Sequence, residues 1–421
     1  MVLSNATVMK GHTLVKEPVY VDEQGLISDN PDVGGGEIDC NKCLVMPGLV
    51  NCHGHTAMTL LRSVGAGLPL QRWLEEAIFP LEAKMRPEDI AAGMTWGAME
   101  MLSGGTTMVA DLYDFPEAGA KALAASGMKG NLCRVGLAFS DTEEVPPNRL
   151  KECIDFVVAH PEGGKIVGDF CIHSEYLTKP KFCKAMAEAN KVFQRPVHVH
   201  VSETEKEHQE CIKRHGKTPI RYLADMGLLD YGGYAAHCVW VTDDDLKIMR
   251  DKRVTLVHNP TSNLKLGSGI APIVRAKELG VNVALGTDGC ASNDNLNMFE
   301  EMHLAGLLAK GSTRNPAALS VWDLIDMATI NGAKALGRED TGVIAPGKQA
   351  DLIVIDLKKP HLYPVNDIAS LVVNSMQASD VIMTIVGGQV VYNRGVFKHI
   401  DVWQARENLD RCLKSVHSSS T

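Results

Sequence analysis

The sequence predicts a (β/α)8 barrel that carries a small β-sandwich built from both chain ends. Three observations point there. Apolar, β-branched runs recur through the middle of the chain at 49–55, 106–113, 131–139, 167–174, 196–203, 234–239, 253–260 and 282–289. Between most of them lie stretches of helical texture, such as 87–103, 179–190 and 242–250. Both ends of the chain are instead rich in short β-like runs and glycine turns. Eight strands alternating with helices are the pattern of a closed parallel barrel, and continuous apolar runs suit strands buried on both faces. An open doubly wound sheet is the competing fold. It calls for a glycine fingerprint after the first strand, and the sequence has none.

With 421 residues, 45% of them hydrophobic, the chain can bury a large core plus an accessory unit. The expected division is a barrel over 48–340 and a composite sandwich over 1–47 and 341–421. At the N-terminus, 15–21 is β-rich, and Asp22-Glu23-Gln24-Gly25 and Gly34-Gly35-Gly36 read as turns. A long connection, 56–86, follows the first barrel strand, with 73–78 helical inside it. That is where a substrate lid would sit. Near the C-terminus 350–356, 381–386 and 389–392 read as strands, the last two separated by Gly387-Gly388, and 403–416 as a closing helix.

Composition narrows the function. The formal charge is −9 with no basic stripe, which disfavours nucleic acid and anionic membranes as partners. No apolar run is long enough to span a bilayer, and the start lacks the basic and apolar segments of a secretory leader. Eleven scattered cysteines suggest free thiols in a reducing compartment. The lone Cys40-x-x-Cys43 reads as structural. A cytoplasmic homo-oligomer, dimer or tetramer, with a small-molecule substrate is expected.

The chemistry gathers at the strand ends, where such barrels place their sites. His53 and His55 sit two apart and would share one strand face, half of a metal site. Further along come His173, then His198 and His200, then His237, and finally Asp288. The metal is assigned to His53, His55, His200 and Asp288, a donor set suited to Zn2+ with a position left for water. His200 also reads as a hydrogen-bonded interior histidine, and Asp288 as a helix N-cap. His198 lies one layer deeper and is taken as a satisfied core histidine. Glu203, just past the fifth strand, is the candidate proton shuttle; its other reading is a solvated charge in 203–207. His237 is either a further ligand or the group that orients the water, and the second reading is preferred.

The motifs Pro47-Gly48-Leu49-Val50-Asn51-Cys52-His53-Gly54-His55, His173-Ser174-Glu175-Tyr176-Leu177, Val199-His200-Val201-Ser202-Glu203-Thr204, Ala236-His237-Cys238, the run 258–267 (HNPTSNLKLG) and the run 286–293 (GTDGCASN) resemble the amidohydrolase superfamily. Within it they look like the branch of 5'-methylthioadenosine/S-adenosylhomocysteine deaminases, which includes 5'-deoxyadenosine deaminases. The likeness covers nearly the whole chain. It implies one divalent metal per subunit, Zn2+ fitting best. Binuclear relatives carry a bridging carboxylated lysine at the fourth strand, and 167–174 contains no lysine. It also implies catalysis by Glu203, His237 and Asp288. Substrate contacts would come from Glu82 to the ribose hydroxyls, His173 to the purine, and Arg149 near the 5' substituent, with Trp73 and Glu203 completing the set. A second family arginine falls on Val135, which weakens the case for recognising a homocysteine carboxylate. The rival readings are a deaminase or chlorohydrolase of a free purine, pterin or triazine, and a non-catalytic relative. A separate zinc deaminase class requires P-C-x-x-C, which the chain lacks.

Overall fold

The computed structural model describes residues 1–138 and 147–418. Its centre is an eight-stranded sheet whose strands are neighbours in chain order: Leu49–Gly54, Thr106–Tyr113, Lys129–Arg134, Ile166–Cys171, Val197–Val201, Gly233–His237, Val254–His258 and Val283–Leu285. The pairings are parallel, in register from His198 opposite Tyr234 to Val201 opposite His237 between the fifth and sixth strands. Every residue is buried in all of these strands except Lys129–Arg134. Helices on the outside and side chains on the inside cover both faces, so the runs are continuous rather than alternating.

The sheet closes on itself, as a barrel requires. The Asp288 N–H donates to the His53 carbonyl at 2.9 Å. Beside it the Asn51 amide grips Thr287, accepting from its N–H at 3.0 Å and donating to its hydroxyl at 2.7 Å. Gly286 lies in this seam. A Cβ there would stand 2.9 Å from the backbone nitrogen of His53 and 2.6 Å from Asn259 Oδ1, so the first and eighth strands approach only because the residue has no side chain.

The ladders stop sooner than the apolar runs do. Residues 174, 202–203, 259 and 286–289 leave the strands for loops and Pro260 begins a helix, and the expected end of the third strand at Phe139 lies outside the described residues. Ser202, His237 and Asp288 turn out of the barrel with φ of 48°, 72° and 64°. Left-handed backbone at non-glycine residues ends pairing and re-aims side chains, and it concentrates at functional sites.

The helix Pro87–Ser103 starts with proline in its first turn and with Asp89 accepting the Arg86 N–H at 2.9 Å. Asp243–Asp251 is capped by Thr242 in a capping box, and Pro180–Phe193 spans the third expected helical stretch.

Two further sheets lie beside the barrel, the larger built from both chain ends and the smaller from the N-terminal segment. The seven-stranded one runs in the order Val396–Phe397, Gln389–Asn393, Val381–Val386, Leu352–Asp356, Cys43–Pro47, Thr7–Lys10, Thr13–Val15. The four-stranded one runs Ile27–Ser28, Val19–Val21, Val2–Ser4, Glu37–Asp39. Leu3, Val21, Val45, Leu352 and Ile385 share the core that joins them. The expected single run 15–21 is split between the two sheets, with Pro18, which has no N–H to pair, in the break. The closing helix Val402–His417 packs on Pro87–Ser103.

The connection 56–86 is mostly helical. A 3-10 turn over Thr56–Leu61 leads to Leu70–Arg72, a π-turn over Trp73–Ile78 and a last turn at Phe79–Glu82. Leu70, Trp73, Leu74 and Ile78 are buried in one cluster with the C-terminal helix residues Leu409 and Val416. The cysteines are free and buried. No helix of the described residues is long and apolar enough to cross a membrane.

Candidate active site

The expected metal ligands meet at the C-terminal mouth of the barrel. His55 Nε2 lies 3.2 Å from His200 Nε2. Asp288 Oδ1 lies 3.3 Å from both His53 Nε2 and His55 Nε2. Two triads of donor atoms share His53, one with His55 and Asp288, the other with His200 and His237; within each the atoms lie within 4.8 Å of one another. His237 therefore joins the expected four, and all five side chains are buried.

Contacts behind the rings decide which nitrogen faces the centre. Nδ1 of His55 donates to the Leu112 carbonyl at 2.9 Å, and Nδ1 of His200 to the His173 carbonyl at 2.7 Å. Nδ1 of His237 pairs with Asn263 Oδ1 at 2.8 Å. A ring that donates through Nδ1 presents a bare Nε2 lone pair inward. His53 Nδ1 faces His198 Nε2 at 2.8 Å, while its own Nε2 is fully buried with no hydrogen-bond partner. An orphaned nitrogen among inward lone pairs and a carboxylate is what a divalent cation satisfies. His198 is a core histidine, packed on Tyr234, but it is only half satisfied: Nε2 pairs with a candidate ligand and Nδ1 is buried without a hydrogen-bond partner.

The electrostatics agree with that fit. Burial depresses the His53 pKa to about 4, and burial with the neighbouring imidazoles holds His200 well below the usual value. Both are neutral near pH 7, the form that ligates. Burial opposes charge on Asp288, yet the contacts with His53 and His55 keep it far below the ordinary carboxylate value. Burial likewise opposes charge on His55, but Asp288 outweighs it and lifts the ring to about 9. A cation bound between them would take that proton's place. Asp288 is held by three further donors: Ser262 Oγ at 2.6 Å, Ser292 Oγ at 2.7 Å and the Gly289 N–H at 2.8 Å.

Above these groups opens a cavity. Glu203 enters it with Oε1 accepting from Ser268 Oγ at 3.3 Å and Oε2 3.8 Å from His237 Nε2. Burial raises its pKa, partly offset by His237. Its backbone is clamped by Glu207, whose carboxylate accepts the N–H groups of Ser202 and Glu203, each at 2.8 Å. Glu82 also lines the cavity and accepts from the Tyr113 hydroxyl at 2.6 Å. Trp73 and His173 line it too; the indole N–H is spent on the Val64 carbonyl at 3.0 Å, and burial pushes His173 down to about 3. Val135 lines the wall. Arg149 does not: its guanidinium donates to Asp114 Oδ1 at 2.9 Å.

Residues 44–391 match the amidohydrolase family. The chain belongs to that family. A 5-methylthioadenosine/S-adenosylhomocysteine deaminase from Acetivibrio thermocellus is 44% identical over 382 residues, 90% of this chain and 88% of that protein. A 5'-deoxyadenosine deaminase from Methanosarcina mazei is 43% identical over 383 residues, with the same two shares. An adenosine deaminase from Xanthomonas campestris, crystallised with bound zinc, superposes with a TM-score of 0.92 at 29% identity, covering 99% of this chain and 98% of that one. The atrazine chlorohydrolase of Arthrobacter aurescens, complexed with zinc, gives a TM-score of 0.90 at 24% identity over 98% and 99% of the two chains, a likeness of fold.

In this amidohydrolase the sequence reading passed over several groups that shape the site. Ser262 and Asn263, which hold Asp288 and His237, lie inside the run 258–267 and could have been singled out as polar residues following a strand end. Tyr113 ends the second strand and Asp114 follows it, and that strand carries no histidine to draw attention. Glu207 stood in a charged run that looks solvated, yet it is buried.

Proposed function

We propose that this amidohydrolase hydrolytically removes the 6-amino group of adenosine-type nucleosides. Its substrates would be 5'-deoxyadenosine, 5'-methylthioadenosine, S-adenosylhomocysteine and adenosine, and its products the inosine analogue and ammonia. The observation that carries the reading is the placement of Glu203. A buried carboxylate whose pKa is raised stands 3.8 Å from His237 Nε2, beside the His/Asp donor set and in the same cavity as Glu82.

We assign one Zn2+ to His53, His55, His200 and Asp288. A bound divalent cation lowers the pKa of water from about 15.7 toward about 7, so that hydroxide is available at neutral pH. Asp288 takes the water proton. His237, fixed by Asn263, holds the attacking oxygen through Nε2. Glu203 gives a proton to N1 of the purine, which makes C6 electrophilic; general acid catalysis of this kind is worth roughly 10²–10⁴-fold. As the intermediate collapses, the proton of the new C6 hydroxyl returns to Glu203 and Asp288 passes its proton to the departing amine. Glu82 receives the ribose hydroxyls, since one carboxylate can accept from both members of a vicinal diol, and His173 meets the purine. Trp73, from the 56–86 connection, closes the cavity against water.

The same reading divides the chain into a catalytic barrel over 48–340 and a sandwich from 1–47 and 341–421. In its support, Cys43–Pro47 pairs in the sandwich sheet while Leu49–Gly54 begins the barrel.

An ammonia-release screen over adenosine, 5'-deoxyadenosine, 5'-methylthioadenosine, S-adenosylhomocysteine, guanine and cytosine tests the proposal. Turnover of the adenosine nucleosides alone is expected, with Glu82→Ala losing most of it. Turnover of guanine with none of any nucleoside would overturn the proposal.

A further inference from the structure

One wall of the cavity has a charge arrangement that deamination does not use. Among the described residues the cavity is lined by the carboxylates of Glu82, Asp114, Glu203 and Asp288, and by no lysine or arginine. Two guanidiniums stand next to this wall, and both donate to Asp114. Arg134 and Arg149 donate to the same oxygen, Asp114 Oδ1, Arg149 at 2.9 Å. Arg134 also donates through Nε to Glu152 at 2.7 Å, and Arg149 reaches the Val135 carbonyl at 3.3 Å. Around Asp114 the lining is apolar, from Phe115, Val135 and Leu137.

We infer that this site selects nucleosides whose 5' substituent is uncharged, and that Asp114 enforces the selection by holding Arg134 and Arg149 away from substrate. The inference rests on the nucleoside deamination proposed above. The reacting end of the substrate is set by Glu203, His237 and Asp288. Whatever part of the remaining wall the 5' group meets, it finds apolar side chains and carboxylates. A homocysteine substituent would bring a carboxylate out of water, which is costly unless a cation or several N–H groups receive it. The guanidiniums suited to that task both donate to Asp114 instead. The ammonium of the same substituent meets a carboxylate whose Oδ1 already accepts from two guanidiniums. A hydrogen, hydroxyl or methylthio group carries no such cost.

The test measures kcat/KM by ammonia release for 5'-deoxyadenosine, 5'-methylthioadenosine, S-adenosylhomocysteine and 5'-isobutylthioadenosine, the last a bulky neutral control. In the unmodified enzyme S-adenosylhomocysteine is expected at least about 10-fold below the three neutral substrates, the scale of one unpaired charge. Asp114→Asn keeps the size and removes the charge that engages Arg149. It is expected to raise the ratio of kcat/KM for S-adenosylhomocysteine over methylthioadenosine by about 10-fold, mostly through KM, as a freed guanidinium meets the carboxylate. A folding defect would lower both substrates together and leave that ratio alone. Equal kcat/KM for the two substrates before substitution, or a ratio unmoved by Asp114→Asn, overturns the inference and leaves deamination standing. So does an isobutylthio substrate as poor as S-adenosylhomocysteine, since size would then discriminate. No ammonia from any nucleoside overturns the proposed function and this inference with it.

Discussion

The backbone N–H of Asp288 donates to the carbonyl of His53 at 2.9 Å. Residues 235 positions apart in sequence are thereby joined at the seam of the barrel, and their side chains meet at 3.3 Å. The hydrogen bond that closes the sheet also sets the geometry of the donor cluster. Asp288→Asn keeps this backbone bond and removes the charge. Bound zinc, read by elemental analysis, is expected to fall, with affinity lost by more than the ~10–100-fold typical of outer partners, while the melting transition stays cooperative. Full zinc content in this variant would remove Asp288 from the ligand set.

Glu203→Gln separates acid catalysis from metal binding. The proton donor is lost while the donor cluster is untouched. Zinc content should be unchanged and kcat reduced by about 10²–10⁴-fold. Near-full turnover by the purified variant would show that another group protonates the ring.

His198 tests the support of the cluster. Its Nε2 lies 2.8 Å from Nδ1 of His53 and it touches no other candidate ligand by hydrogen bond. His198→Ala leaves the His53 ring free to rotate, and zinc affinity measured by chelator competition should drop about 10–100-fold. His198→Gln, which can still pair with Nδ1, should recover part of the loss. Equal affinity in all three proteins would leave His198 a packing residue.

Removing the metal should cost both activity and stability. Dialysis against a chelator is expected to abolish ammonia release, and added Zn2+ to restore it. A ligand that binds only the folded state stabilises by about 4 kcal/mol at a thousand-fold excess over Kd, so the melting temperature should fall on chelation and recover on re-addition. An unchanged melting temperature would place the metal elsewhere.

Glu301 gives a pH signature away from the ligands. It is buried, accepting from the Asn293 amide at 2.6 Å and the Thr261 N–H at 3.2 Å. Burial pushes its pKa up to about 8 from 4.5. The folded protein then holds a proton that the unfolded chain has released. This contribution to stability is full below about pH 4.5 and is lost as pH rises through about 8. Unfolding free energy should therefore descend between those limits, and Glu301→Gln should flatten the descent. A variant whose profile parallels the parent's would assign the slope to other groups.

The barrel was legible in the sequence because parallel strands covered on both faces must be apolar throughout, and that leaves a continuous run for each one. Leu49–Gly54 and Thr106–Tyr113 stand where those runs stand. The helix Pro87–Ser103 was equally plain, since its proline and its acidic first turn mark the start locally. His53, His55, His200, Glu203, His237 and Asp288 could be singled out because barrels of this kind put chemistry at strand ends, so position along the run carries information.

Tertiary structure decided what pairs with what. Nothing local says that His198 faces His53, that Glu207 is buried under Glu203, or that Arg149 turns to Asp114 instead of the cavity. The split of 15–21 between two sheets was hidden for the same reason: one proline breaks the run, but only long-range pairing assigns each half. Strand and helix periodicity are fixed by bonds and sterics within a few residues. The partners of His53 and Asn51 arrive from strands more than a hundred residues away, so those pairings exist only once the sheet has closed.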